Sequence, residues 1–268
     1  MTSYPTDSLF PNKRTGIIPA LDISLVYDNP RFEHVVTSTA DIPGVIGYKL
    51  SGLYSIRRGL EETVSTLTNA IDSLNKNLSR RHKKILDYQK LGGDGGTFMK
   101  GMIKDIYDLV DGIIIFPWAG PLGQKAVVEE IRKNNKVPIA GGKVTFIGAP
   151  ESEGGHIPES AITRMYLNSI LLDVPNFVLP ASRPEDCQQY KSVLGKMAKE
   201  ADLNLSFYPT GLGKDQQGGD LIKTYDILHP INTYFILGRE VAESPNPRET
   251  ATRLTEALLQ HDKELVKS

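Results

Sequence analysis

The chain has 268 residues, of which 40% are hydrophobic and 24% are charged, a composition typical of a globular protein with a sizeable core. The formal net charge of −1 argues against a basic surface for nucleic acid or anionic membranes, so neither is expected as a partner. The single cysteine, Cys187, cannot form an internal disulfide, and the first residues contain no apolar run of signal-peptide length. We therefore expect a cytoplasmic protein without membrane spans.

Short apolar runs recur along the chain, and each ends in small, polar or charged residues. The clearest runs are continuously apolar, which is typical of strands that are covered on both faces, as in parallel sheets. The eight predicted strands span residues 16–23, 43–51, 83–89, 111–119, 136–145, 176–182, 204–211 and 232–239.

Stretches with apolar residues at helical spacing lie between these runs. The predicted helices span residues 55–74, 123–134, 158–174, 184–201 and 246–265, and another follows the glycine-rich segment 208–220. This α/β alternation predicts one parallel, eight-stranded (β/α)8 TIM barrel over residues 16–268, preceded by an N-terminal arm of residues 1–15. A doubly wound open sheet is the structural alternative.

Charged residues are predicted where the first three strands end. Asp22 and Lys49 lie near the ends of the first two, and the segment ILDYQKLGGDGGT carries Asp87, Lys90 and Asp94 after the third. A parallel barrel gathers its functional groups at the carboxyl ends of its strands. Charges at such a boundary are costly to desolvate unless they pair or take part in chemistry. An ion-pair cluster that only closes the rim is the alternative to a catalytic site.

The segment YPTGLGKDQQGGD, residues 208–220, follows the seventh predicted strand and is rich in glycine. Such segments let main-chain N–H groups approach an anion, and a helix N-terminus adds partial positive charge. Arg239 ends the eighth strand, and a guanidinium can bind phosphate through two hydrogen bonds. Because barrels often build phosphate sites from the loops after strands seven and eight, the substrate is predicted to carry a phosphate. A mobile surface turn is the alternative.

Five segments together resemble one protein family: IIPALDI, GYKLS, ILDYQKLGGDGGT, PTGLGKDQQGGD and FILGREVAESPNPRETA. Their order and spacing are similar to those of orotidine 5′-phosphate decarboxylases. The resemblance implies a homodimeric (β/α)8 barrel that converts orotidine 5′-monophosphate (OMP) into UMP, in de novo pyrimidine biosynthesis, without metal or organic cofactor. The third-strand motif departs from the family's Asp-x-Lys-x-x-Asp, because here it is Asp-x-x-Lys-x-x-x-Asp.

The resemblance also implies roles for individual residues. The catalytic residues carried over are Lys49, Asp87, Lys90 and Asp94. The substrate-binding residues carried over are Asp22, Thr97, Thr145, Pro209, Gln217, Gly218, Gly219, Gly238 and Arg239. Asp22 is expected at the ribose hydroxyls, Gln217 and Arg239 at the phosphate, and Thr145 at the base. Asp94 and Thr97 are expected to reach the neighbouring subunit's site.

The chemistry of the reaction suits these residue types. Loss of CO2 from C6 of the pyrimidine leaves a carbanion without an adjacent electron sink. An ammonium at Lys90 can attract that charge and then deliver the proton, while Asp87 and Asp94 hold it in place. Lys49 completes an alternating array of lysines and aspartates.

Two alternatives remain open at this point. A magnesium-dependent sugar-phosphate decarboxylase or aldolase of the same barrel group would have a glutamate near the end of the second strand, where this chain has Lys49. A non-catalytic barrel that binds a phosphate ligand is the other alternative.

Overall fold

The structure is a computed structural model that describes residues 8–22, 25, 27–54, 58–88, 93, 95–145, 148–213 and 218–267. Its eight parallel strands close into a barrel. The strands are β1 (Thr15–Leu21), β2 (Gly47–Ser51), β3 (Lys83–Asp87), β4 (Gly112–Ile115), β5 (Val137–Ala140), β6 (Asn176–Pro180), β7 (Ser206–Thr210) and β8 (Asn232–Leu237). Each strand pairs with the next, and β8 pairs with β1. The predicted (β/α)8 barrel is confirmed, and the closed ring excludes the doubly wound open sheet.

Helices follow the strands around the outside of the barrel. They are α1 (Asn29–Thr39), α2 (Leu60–Asp72), α3 (Gly96–Lys104), α4 (Pro121–Lys133), α5 (Glu159–Leu171), α6 (Pro184–Glu200), α7 (Leu221–Leu228), α8 (Arg239–Ala242) and α9 (Pro247–Lys267). The predicted helices are all present, and α1, α3 and the short α8 are additional. Within the described ranges, no helix is both long enough and apolar enough to cross a bilayer.

Alternate residues of each strand face the inside of the barrel. The interior cluster includes Ile18 and Ala20 of β1, Ile85 of β3 and Tyr208 of β7. The residues between them pack outward against the helices in a second, larger cluster. This alternation decides which side chains reach the mouth of the barrel, because residues at the strand ends continue the same inward-facing rows.

The segment before β1 closes the amino-terminal end of the barrel. Leu9 and Phe10 are both buried, and the Phe10 ring lies 4.7 Å from the Tyr234 ring. A Cβ atom added at Gly112 would lie 2.9 Å from Leu9 Cδ1, so the glycine lets Leu9 approach β4 closely. Because these residues fill the amino-terminal end, the candidate site lies at the carboxyl end of the barrel.

Candidate active site

The pairing register of the first three strands brings three predicted site residues together. Lys49 in β2 is in register with Ala20 of β1 and Ile85 of β3. Asp22 and Asp87 lie beyond these partners on the inward-facing rows, nearer the mouth. The Lys49 ammonium reaches both carboxylates, with Nζ 2.8 Å from Asp22 Oδ1 and 2.8 Å from Asp87 Oδ2.

Lys49 remains charged although its side chain is only 8% exposed. Burial by itself lowers the pKa of this ammonium, but Asp22 and Asp87 outweigh burial and raise the pKa above its ordinary value. The Asp22 side chain is 39% exposed and the Asp87 side chain 16%, so Asp22 is the more accessible to a ligand in the mouth.

Asp87 has one carboxylate oxygen that the rest of the described structure does not satisfy. Its Oδ2 accepts from Lys49, whereas Oδ1 is buried and has no hydrogen-bond partner among the described residues. A buried carboxylate oxygen without a donor is costly, and such atoms mark places where a ligand or a further cation binds. Lys90 and Asp94, predicted to complete the array, lie outside the described residues.

Other unsatisfied polar atoms lie near the same end of the barrel. Within the described part of the chain, five buried side-chain atoms have no hydrogen-bond partner, and four belong to residues that end or follow β2, β3 and β6. These four are Tyr54 Oη, Arg58 Nη1, Asp87 Oδ1 and Ser182 Oγ. Sequence reasoning missed Tyr54 and Arg58, which follow β2 without a motif that distinguishes them.

The ends of β8 and β7 adjoin this array. A Cβ added at Gly238, which follows β8, would lie 3.8 Å from Asp22 Oδ2, and the next residue, Arg239, is exposed. A Cβ added at Gly213 would lie 3.6 Å from Glu240 Oε2 in α8. The glycine-rich loop and the start of α8 are therefore neighbours at the rim beside Asp22, where the phosphate site is predicted.

The glycine-rich loop uses backbone conformations that favour glycine. Gly211, Gly213 and Gly218 have φ values of +85°, +117° and +75°. The Gly218 N–H donates to the Gly213 carbonyl at 3.0 Å. This N–H, which was predicted to bind the phosphate, is therefore already engaged in a hydrogen bond within the loop. Gln217, also predicted at the phosphate, lies in the undescribed residues 214–217.

The helix N-terminus that was expected to assist phosphate binding is already capped. The Asp220 carboxylate accepts from the Lys223 N–H at 2.8 Å at the start of α7. Gly219, just before it, packs tightly, since a Cβ there would lie 2.6 Å from the Gly211 carbonyl oxygen. Because a carboxylate occupies the positive end of α7, the predicted phosphate ligands that remain among the described residues are Arg239 and main-chain groups.

Three further predicted binding residues, Thr145, Thr97 and Pro209, lie in a loop, a helix and a strand, respectively. Thr145 is half-buried in the loop after β5, because that strand ends at Ala140 and not at the predicted residue 145. Thr97 is exposed in the first turn of α3, and Pro209 is buried within β7. The structure thus brings Asp22 and Gly238 to the Lys49 array and places Thr97 on the surface.

Sequence reasoning missed Lys143, a second buried lysine beyond a strand end. Its side chain is 4% exposed, and its ammonium lies 3.0 Å from Glu159. The argument that identified Lys49 applies equally here, because a lysine that follows an apolar strand reaches the carboxyl end of the barrel. Predicting that β5 extends to residue 145 concealed it.

A parallel barrel with a lysine between two aspartates at its mouth and a glycine-rich rim has the layout of a (β/α)8 barrel enzyme. No protein-family model matches the chain. Among curated proteins, the orotidine 5′-phosphate decarboxylase of Methanococcus maripaludis is 26% identical over 199 residues, which cover 74% of this chain and 82% of that protein. The enzyme of the same name from Methanocaldococcus jannaschii is 26% identical over 204 residues, covering 76% and 86%.

Solved structures share the fold of this chain. The Methanocaldococcus jannaschii decarboxylase in complex with the inhibitor BMP aligns with a TM-score of 0.70 at 23% identity, covering 91% of this chain and 98% of that one. The decarboxylase of Pyrococcus horikoshii aligns with a TM-score of 0.65 at 18% identity, covering 90% and 97%. The chain is thus similar in sequence and in fold to orotidine 5′-phosphate decarboxylases, which are carboxy-lyases. The predicted resemblance is confirmed, and the variant third-strand motif stays a prediction.

Proposed function

We propose that the protein decarboxylates OMP to UMP without a cofactor, and that Lys90 protonates C6. The observation that carries this proposal is the Asp22–Lys49–Asp87 array, in which Asp87 Oδ1 is buried without a donor among the described residues. One ammonium faces two carboxylates there, so the array calls for a second cation. Lys90, close to Asp87 in sequence, is the group we assign to that role, with Asp94 as the balancing acid.

The substrate would span the mouth from the β7–β8 rim to the array. Arg239, Gln217 and main-chain N–H groups at Gly219 and Gly238 bind the phosphate, and the accessible side of Asp22 receives the ribose hydroxyls. The C6–carboxylate bond then breaks, its electron pair remains on C6 and CO2 leaves. The Lys90 ammonium stabilises this pair, transfers its proton to C6 and is reprotonated from solvent.

The position of Lys49 favours this mechanism over the magnesium-dependent alternative. Its Nζ occupies the space between the Asp22 and Asp87 carboxylates, at hydrogen-bond distance from both. A magnesium ion bound by these carboxylates would have to displace an ammonium that is held in the charged state.

We also propose a cytoplasmic location, since Cys187 is a buried free thiol that needs no oxidising compartment.

Conversion of OMP to UMP by the purified protein, with and without a chelator, tests the proposal directly. We expect turnover that the chelator leaves unchanged, and we expect Lys90→Ala to lower kcat by about 100-fold or more, because it removes the proton donor. Lys76→Ala, at an exposed lysine, is the matched control. UMP binding without turnover would instead establish a non-catalytic barrel, and OMP turnover that the chelator abolishes and magnesium restores would overturn the cofactor-free mechanism.

We further propose that the protein is a homodimer joined through the first turns of α3 and α4. Phe98 in α3 is 60% exposed and Leu122 in α4 is 86% exposed, and Trp118 just before α4 is 38% exposed. Thr97, expected to reach the partner's site, is exposed beside Phe98. Large apolar side chains exposed around a polar residue are typical of an interface.

Replacing both Phe98 and Leu122 with aspartate is expected to convert the dimer into monomers and to lower turnover, since Asp94 and Thr97 could no longer complete the neighbouring site. Sedimentation or light scattering measures the mass, and the OMP assay measures turnover. Leu171→Asp, at a leucine of α5 that is 72% exposed, is the control for adding charge to an exposed apolar position. A parent protein that is monomeric at assay concentration would contradict this proposal.

A further inference from the structure

The chain beyond β5 is packed so closely that only glycine fits two of its positions. A Cβ at Gly141 would lie 2.3 Å from the Phe116 ring, and one at Gly142 would lie 2.8 Å from the Tyr166 ring. The Lys143 N–H donates to the Tyr166 hydroxyl at 3.0 Å, and that hydroxyl donates to a main-chain oxygen of β6. The stretch that leads to Lys143 is therefore fixed against Phe116, which follows β4, and against α5 and β6.

The Lys143 side chain joins the starts of two helices. Its Nζ is 3.0 Å from both carboxylate oxygens of Glu159, the first residue of α5, and 3.7 Å from Asp186 Oδ2 in the first turn of α6. Burial opposes ionisation of Glu159, but hydrogen bonds from Ser152 and Lys143 lower its pKa. Because a buried ammonium is stable only when its partners are held in place, this cluster ties β5 to both helices.

A second ion pair holds the segment 148–157, which connects β5 to α5. The Glu153 carboxylate pairs with Arg183, the residue that precedes α6, and Arg183 Nη2 donates at 3.1 Å. The Arg183 hydrogen bond lowers the pKa of Glu153 to about 2. The Ser152 hydroxyl donates to Glu159 Oε1 at 2.6 Å and connects the two ion pairs.

We propose that this clamp, formed by Lys143, Glu153, Glu159, Arg183 and Asp186, positions the wall of the mouth that receives the planar base of the substrate, with Lys143 as its central positioning residue. The inference rests on the proposed function, since it assumes a phosphorylated nucleoside bound at the β7–β8 rim. In a ring of eight strands β5 lies opposite β1. A ligand held by its phosphate at Arg239 and by its ribose at Asp22 extends its base toward the β5 side, where Thr145 follows Lys143.

A positioning role and a purely structural role predict different ligand dependences. If the clamp only stabilised the fold, its loss would weaken every ligand alike. If the clamp positions the wall of the mouth that receives the base, its loss weakens the binding of ligands that contain the base. The binding of the phosphate and the ribose is then unaffected. UMP and ribose 5-phosphate differ by the base alone, so this pair of probes separates the two roles.

The test compares Lys143→Met with the parent in calorimetric titrations of UMP and ribose 5-phosphate. We expect the UMP affinity of the variant to fall about tenfold or more, the effect of losing one well-made hydrogen bond, while the ribose 5-phosphate affinity changes less than about twofold. Lys125→Met is the matched control, because that lysine is 58% exposed and pairs along its own helix with Glu129. Its affinities for both ligands should equal those of the parent.

The single tryptophan provides a readout that is independent of ligands. Trp118 stacks on Phe116 with ring centroids 6.0 Å apart, and Phe116 lies against Gly141 in the stretch that the clamp fixes. Loosening this stretch in Lys143→Met should shift the Trp118 emission, whereas Lys125→Met should not. An unchanged emission spectrum together with unchanged UMP affinity would overturn the inference.

The remaining outcomes distinguish failure of the positioning role from failure of the proposed function. Equal weakening of UMP and ribose 5-phosphate overturns the positioning role while leaving the proposed function standing. A parent protein that binds neither UMP nor OMP overturns the proposed function and this inference together. If Lys143→Met does not fold, Glu159→Gln removes one anion at a side chain that is 45% exposed, and the same selective loss of UMP affinity is expected at smaller size.

Discussion

Asp87→Asn is expected to lower kcat for OMP by about 100- to 10,000-fold while the protein remains folded. The amide keeps the shape of the carboxylate and can still accept from Lys49, which also keeps its ion pair with Asp22. The negative charge is lost, however, and with it the group that holds the Lys90 ammonium at C6. Initial rates of UMP formation and thermal unfolding measured on the same preparations check both parts.

Asp111→Asn is the matched control for this variant. Asp111 pairs with Lys83 at 3.3 Å and accepts from the Lys84 N–H at 2.8 Å, at the opposite end of β3 from Asp87. The same chemical change there should leave kcat within about threefold of the parent, since surface ion pairs contribute little. If Asp87→Asn also stays within that range, the Asp22–Lys49–Asp87 array is a structural ion pair and not part of a catalytic site.

The sequence predicts that Asp22, Lys49 and Asp87 lie at the carboxyl mouth of the barrel because two simple rules apply to them. Charged residues at the ends of apolar strands face the carboxyl mouth of a parallel barrel, and the two-residue period of a strand places Asp22 and Asp87 on the inward-facing rows. The closing of the barrel could also be predicted, because eight strands with room for helical crossovers fit the length of the chain.

Lys143 escapes prediction because its position depends on contacts that are distant in sequence. The run from residue 136 to 145 continues with small and apolar residues, so it indicates one long strand. The strand ends at Ala140, where the rings of Phe116 and Tyr166 close on Gly141 and Gly142. Tertiary packing of this kind decides strand ends and cannot be obtained from local patterns.

The caps of α7 and α1 show the opposite case, in which the local signal is present in the sequence although α1 was not among the predicted helices. Asp220 precedes α7, and its carboxylate accepts from Lys223 N–H, as aspartate does at helix N-termini. Asp28 caps α1 in the same way by accepting from Arg31 N–H at 2.9 Å. Both residues are readable in the sequence, and α1 also buries Phe32 and Val36 at helical spacing.

Lys49→Met is expected to reduce the free energy of unfolding by about 3–5 kcal/mol, because it removes the shared partner of two carboxylates. The methionine has a similar length and fills the same space, so the loss reports on charge and not on a cavity. Asp22 and Asp87 then repel each other, and Asp87 is left buried without any donor among the described residues. Urea unfolding of the parent and the variant at neutral pH measures the difference.

The pH dependence of this loss identifies its electrostatic origin. In the parent, the raised pKa of Lys49 means that its stabilisation is complete below the unfolded value of about 10.4 and is lost only as the pH rises through the folded value. The deficit of Lys49→Met relative to the parent should therefore be complete at neutral pH and shrink as the pH rises above about 10.4.

Removing one of the repelling charges should recover part of the loss. Lys49→Met with Asp87→Asn leaves only the more exposed Asp22 carboxylate charged, so the double variant should be more stable at neutral pH than Lys49→Met alone. Such recovery is expected only if the three side chains act as one electrostatic unit. A double variant that is less stable than Lys49→Met, with a deficit that does not change with pH, would mean that the three side chains do not act as one electrostatic unit.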